Sequence, residues 1–175
     1  LKAALKYPEV QILNCSLNYA WKSIPTYYAR MYEVKFLTGL IAGSMAKGEN
    51  IGYETDYPIY GNIANINAFA IGVAMVNPNI KIYLNWTSGK EDKKTADTEQ
   101  LAVVSAKDMI SADGYNRRFG LYSNKNGEIL NIATSVFDWG IFYEKIIQQM
   151  LDGTWKRVSD KETVSRNYWW GLSAG

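Results

Sequence analysis

Histidine is absent from the 175 residues, and cysteine occurs once. Without histidine the Ser-His-Asp and Cys-His nucleophile systems are excluded, together with the commonest transition-metal ligand. One cysteine leaves no disulfide within the chain and no thiolate zinc site. Cys15 closes the apolar run from Val10 and reads as a small buried strand residue. No segment approaches the roughly 18 uninterrupted apolar residues of a membrane span. The first residues also lack the charged, apolar and small-residue sequence of a signal peptide. Charge of one sign is lacking too, because 19 basic and 17 acidic residues leave a net +2. The lysines are scattered except for Lys90 to Lys94, a run interleaved with Glu91 and Asp92 that reads as a solvated loop, so nucleic acid is disfavoured as a partner.

What is present, 47% hydrophobic and 21% charged residues, is the composition of an ordinary globular domain with a real core. The segment Leu1 to Tyr7 looks like the last turns of a helix closed by Pro8, and Val10 to Ser16 follows as a strand. Thr26 to Arg30 is a short extended piece. Leu37, Leu40, Ile41 and Met45 mark a helix that ends before Gly48. Ile51 to Glu54 is a strand, and Ile63, Ile66, Phe69, Ala70 and Val73 recur at helical spacing until Asn77-Pro78. Ile80 to Leu84 reads as the next strand. Asp97 is placed to cap a helix carrying Leu101, Val104 and Ala106, with Met109 to Ser111 as the strand after it.

This helix-strand alternation is that of a parallel sheet. After Gly114 the pattern changes, because Tyr115 to Arg118 is too short for a crossover helix before the strand at Phe119 to Tyr122. Either a helix has been dropped or the strand turns back. Asn126-Gly127 is a turn signal that leads into a strand from Ile129 to Val136, in an arrangement compatible with an antiparallel pair. Asp138 is placed to cap a last helix with Phe142, Ile146, Met150 and Leu151 inward and Gly153 closing it, and Tyr168-Trp169-Trp170 is expected to pack against another part of the protein. The fold class is therefore α/β, a flavodoxin/Rossmann-like three-layer lobe on a mostly parallel sheet.

Ligands of open α/β sheets bind in the crevice outside the carboxyl ends of the strands. Four loops fall there. Thr55 to Asn62 holds Tyr57 and Tyr60 around Pro58, and Asn62 reads first as a helix cap. Trp86 stands among Asn85, Thr87 and Ser88 as a stacking platform for a planar ligand. Asp113, beside Gly114, is an acceptor for ligand hydroxyls, and Phe137 with Asp138 forms the fourth wall.

A set of segments in this order resembles the basic membrane protein family of solute-binding lipoproteins, the purine nucleoside receptor group of the type I periplasmic-binding fold. The segments are Tyr32-Glu33, Phe36 to Gly43 with Ala46-Lys47, Ile51-Gly52-Tyr53, Asn67 to Gly72, Val76-Asn77-Pro78, Thr134-Ser135-Val136 before Trp139-Gly140, and Leu151 to Trp155. The resemblance implies a fragment: residues 1–18 as the end of a first lobe, 19–35 as a crossover, 36–153 as the second ligand-binding lobe and 154–175 as a return segment. It also implies capture without chemistry of a nucleoside-like solute in an interlobe cleft, as the binding component of an ABC importer. The partner is then a membrane permease, the location is extracytoplasmic with a lipid anchor, and neither cofactor nor metal takes part.

Carried over by position, the family's base-stacking phenylalanine falls on Trp86, and its glycine-containing loop falls on Asp113-Gly114. Its ribose-binding aspartate falls near Ser123 or Asn124, and its lysine falls at Asp138, so those two contacts are not matched. An isolated lobe with its cleft face open is expected to form a homodimer. The alternative reading is an effector-sensing domain of a cytoplasmic regulator with the same fold. The third is an enzyme using carboxylates such as Glu54, Asp56 and Asp113, which the missing histidine and the missing phosphate-binding glycine signature weaken.

Overall fold

The computed structural model describes residues 2–15, 24–87, 101, 103–108, 116–156 and 166–174. In chain order the elements are α1 (Lys2–Lys6), β1 (Asn14–Cys15), β2 (Thr26–Ala29), α2 (Met31–Met45), β3 (Ile51–Thr55) and α3 (Tyr60–Val76). They continue with β4 (Ile82–Trp86), β5 (Val103–Ser105), β6 (Leu121–Lys125), β7 (Glu128–Ala133), α4 (Trp139–Leu151) and β8 (Asn167–Trp170). Two compact units result, one of residues 1–30 with 138–175 and the other of residues 31–137. Helix α4 therefore groups with the terminal segments.

The 31–137 unit is built on a five-stranded sheet of order β4-β3-β5-β6-β7. Strands β4, β3 and β5 are parallel, β6 is antiparallel to β5, and β7 is antiparallel to β6. The chain thus turns back after β5 and drops the crossover helix. Asn126 and Gly127 adopt positive φ values of 54° and 84°, the backbone of a two-residue hairpin turn, and β6 and β7 pair as the Asn-Gly signal predicts.

The helix expected over Leu101 to Ala106 is overturned, since Val103–Ser105 is a strand. Its three residues are buried and lie between β3 and β6, so two consecutive β-branched valines occupy the sheet interior, where a continuous apolar run replaces alternation. The strand expected at Met109 to Ser111 and the capping Asp97 lie outside the described residues.

Helices α2 and α3 flank β3 in sequence and pack against each other at the closest range backbones allow. A Cβ placed on Gly39 would stand 2.3 Å from the Phe69 carbonyl oxygen, and one on Gly72 the same 2.3 Å from that of Phe36. The buried face of α2 is accordingly Met31, Lys35, Thr38, Gly39, Ala42 and Gly43. Leu37, Ile41 and Met45, whose spacing marks the helix in the sequence, are 43%, 38% and 43% exposed, because small residues rather than branched ones permit this approach. On α3, Phe69 and Val73 are buried as expected while Ile63 is exposed. The core gathers Ala42, Ile51, Tyr53, Phe69, Val103 and Leu121, with the Tyr53 and Phe69 rings edge-on at 5.0 Å.

In the other unit β1, β2 and β8 form a parallel three-stranded sheet. Tyr168 and Trp170 lie in β8, and the buried Phe142 of α4 meets Tyr27 at 4.6 Å and Trp170 at 5.3 Å. Phe142 and Ile146 point inward as expected, but Met150 and Leu151 are 40% and 77% exposed. Cys15 is in a strand but exposed, not buried as the sequence suggested, because β1 is the edge of this sheet. Asp138 holds the N-cap position of α4 without a side-chain capping hydrogen bond, and Gly153 closes the helix with φ +68°.

Candidate functional site

Since β7 reverses twice relative to β5, it runs in the same direction as β3, β4 and β5. The carboxyl ends of four strands therefore share one edge of the five-stranded sheet, and their loops are bound to one another by polar contacts. Thr87, after β4, donates its backbone N–H to the Thr55 carbonyl oxygen at 2.8 Å and its hydroxyl to Asp56 Oδ1, also at 2.8 Å. Lys107, after β5, reaches the same Asp56 oxygen at 3.4 Å. The Thr87 hydrogen bond, with help from the Lys107 charge, holds the Asp56 carboxyl below the usual carboxylate range against the opposing effect of burial.

A second knot lies deeper. Lys35 in the first turns of α2 donates to Asp108 Oδ1 at 2.9 Å and to the Ala106 carbonyl oxygen at 3.2 Å, with only 4% of its side chain exposed. Its ammonium also stands 5.7 Å from the Tyr53 ring centroid. Ser135, after β7, donates its hydroxyl to the same Asp108 oxygen. Burial, and then the neighbouring Asp108 charge, pushes the Tyr53 hydroxyl pKa up. The loop after β5 is fixed from its other side, because Ala106 donates to the Gly120 carbonyl oxygen and Gly120 to that of Lys107, each at 2.7 Å.

The residues singled out from sequence are distributed as follows. Trp86 is the last residue of β4, opposite Thr55, and is half-buried. Tyr57 and Tyr60 are 60% and 71% exposed, and Tyr60 already belongs to the first turn of α3. Asn62 does not cap that helix, whose N-cap is Ile59. Its side-chain amide instead donates to the Tyr57 carbonyl oxygen at 2.8 Å and fixes the turn around Pro58. Phe137 ends the loop that follows β7 and is half-buried, whereas Asp138 belongs to the other unit. Asp113 lies outside the described residues.

Sequence reasoning did not single out Lys35, Thr87, Lys107, Asp108 or Ser135 as site residues. The one sequence signal for them was position, since each of the last four follows a strand closely. Lys35 carried no such signal, because the apolar spacing of its helix, Leu37, Leu40, Ile41 and Met45, lies on a different face from the one that is buried.

A family model described as ABC transporter substrate-binding protein, PnrA-like, matches residues 2–116. The chain belongs to this family. It is 28% identical over 190 residues to a purine-binding protein of Brucella abortus, covering 100% of this chain and 52% of the relative. It is 23% identical over 188 residues to a putative ABC transporter glucose-binding protein of Haloferax volcanii, covering 97% of this chain and 45% of that protein. The chain thus spans about half the length of these relatives. An ABC transporter solute-binding protein from Conexibacter woesei superposes with a TM-score of 0.62 at 16% identity, over 97% of this chain and 60% of that one. The fold is that of solute-binding proteins.

Proposed function

We propose that this chain is the ligand-binding lobe of the substrate-binding component of an ABC importer, and that it captures a small polar solute without chemical turnover. The observation that carries the reading is the single edge on which the loops after β3, β4, β5 and β7 converge and are bound together by Asp56, Thr87, Lys107, Asp108 and Ser135. Preorganised loops at strand carboxyl ends lower the ordering cost of binding. Trp86 serves as the stacking surface, with Tyr57, Tyr60 and Phe137 as the remaining contacts. In the whole protein the partner is a permease, and the location is outside the cytoplasmic membrane, held there by a lipid anchor. The two curated relatives bring a purine and a sugar as candidate ligand chemistries.

Titration calorimetry with adenosine, adenine and D-glucose tests the proposal. Heat from at least one of them is expected, and Trp86→Ala should weaken a purine-bearing ligand by about 1–3 kcal/mol, the value of one base stacked on an aromatic ring. Silence from all three, in this chain and in the whole protein, would remove the proposed function.

A further inference from the structure

We propose that the unit of residues 1–30 and 138–175 carries a second ligand site, a cavity that takes a small anion with a flat apolar body, the chemistry of an aromatic carboxylate. The cavity has a volume of about 610 Å³, and among the described residues all that line it belong to this unit. Its size lies within the range of small-molecule sites. It shares no described residue with the loops at the carboxyl edge of the five-stranded sheet.

Sequence spacing builds one wall. Ile141, Lys145 and Gln149 recur every four positions along α4 and so stand on one face of the helix. A second wall is the triplet Tyr168-Trp169-Trp170 of β8. Tyr168 and Trp170 pack on Phe142 at 6.0 Å and 5.3 Å, but Trp169 is 44% exposed, so packing does not use up the triplet. Arg30 joins them from the end of β2, where its backbone N–H donates to the Trp170 carbonyl oxygen at 2.6 Å.

The charge of the lining selects the ligand. Arg30 and Lys145 are both cationic, and among the described residues no aspartate or glutamate lines the cavity. The Lys145 ammonium stands 5.0 Å from the centroid of the Trp170 ring and forms no ion pair among the described residues. An ammonium has three donors and no acceptor, so one held against an indole face keeps donors for a second partner. A ligand carboxylate supplies the acceptors and the opposite charge. The aromatic side chains then cover a flat apolar body, which an inorganic anion lacks. A neutral ligand leaves the dehydration of the cations uncompensated, and a cationic ligand meets like charge.

Benzoate, benzamide and benzylamine share one ring and differ in charge, which makes them the probes of the test. The indole N–H resonances of Trp169 and Trp170, assigned by NMR with Trp169→Phe and Trp170→Phe, report on the cavity. Both are expected to move saturably with benzoate, at a concentration about fivefold lower than benzamide requires, and to stay in place with benzylamine. Lys145 is exposed, so Lys145→Gln should keep the wild-type melting temperature. It should weaken benzoate about threefold to fivefold and leave benzamide unchanged, and Lys145→Arg should restore benzoate. Resonances that ignore benzoate at millimolar concentration overturn the inference. Equal response to benzoate and benzamide, unaltered in Lys145→Gln, overturns it too, because the cavity then selects no charge. Shifts seen in this chain and lost in the whole protein have the same consequence, since the face is then covered. None of these results touches the proposed function, whose ligands are titrated separately.

Discussion

Lys35 and Asp108, separated by 73 positions in the sequence, meet at 2.9 Å with 4% and 14% of their side chains exposed. Removing one member of such a pair leaves the other charge buried without compensation, which costs more than the pair itself contributes. Lys35→Met is therefore expected to destabilise the protein by roughly 3 kcal/mol. Joint replacement of Lys35 and Asp108 by Met and Leu should recover a large part of that loss. Urea denaturation of the two single variants and the double variant gives the coupling directly.

Gly39 and Gly72 offer a sharper test of packing, because the obstacle to a side chain at each is the opposite helix's backbone. With a Cβ 2.3 Å from a carbonyl oxygen, Gly39→Ala or Gly72→Ala must push the helices apart. A loss of about 3 kcal/mol is expected for each, at the upper end of overpacking. Gly48→Ala, at φ +89° with open space around it, should lose only about 1 kcal/mol through backbone strain. Thermal melts that rank Gly48→Ala as the worst of the three would contradict the helix crossing described here.

Asp56 sets a pH dependence whose sign is fixed by the direction of its shift. Its folded carboxyl titrates below the ordinary value, with Thr87 as the leading cause. The tie between loops accordingly contributes stability at neutral pH, above an unfolded carboxylate value of about 3.9, and loses it as pH falls through the lowered folded value. Thr87→Val should bring the Asp56 titration back toward ordinary carboxylates when its carboxyl carbon is followed by NMR. An unchanged titration curve in that variant would show that Lys107 alone sets the shift.

Much of the fold was legible because its signals are local. The Asn126-Gly127 turn, the strand at Ile51 and the stop at Asn77-Pro78 depend on neighbours in sequence. The buried face of α2 was not readable, because spacing marks the helix by Leu37, Leu40, Ile41 and Met45 while a glycine-mediated crossing buries Gly39, Ala42 and Gly43. Val103 to Ser105 was misassigned because so short a buried run carries no period of its own. The placement of Trp86 and Phe137 beside strand ends was readable. The pairing of Lys35 with Asp108 was not, since sequence periodicity does not say which distant loop a buried lysine meets.

Direct contact between the α2 and α3 backbones also bears on the order of folding events. The two helices and β3 between them occupy one uninterrupted stretch from Met31 to Val76, so their mutual contacts close shorter loops than the pairing of β3 with β5 does. This stretch is expected to serve as the folding nucleus, with the β6–β7 hairpin joining afterwards. Gly72→Ala should then chiefly slow refolding and Gly127→Ala chiefly speed unfolding, a division that stopped-flow chevron plots resolve.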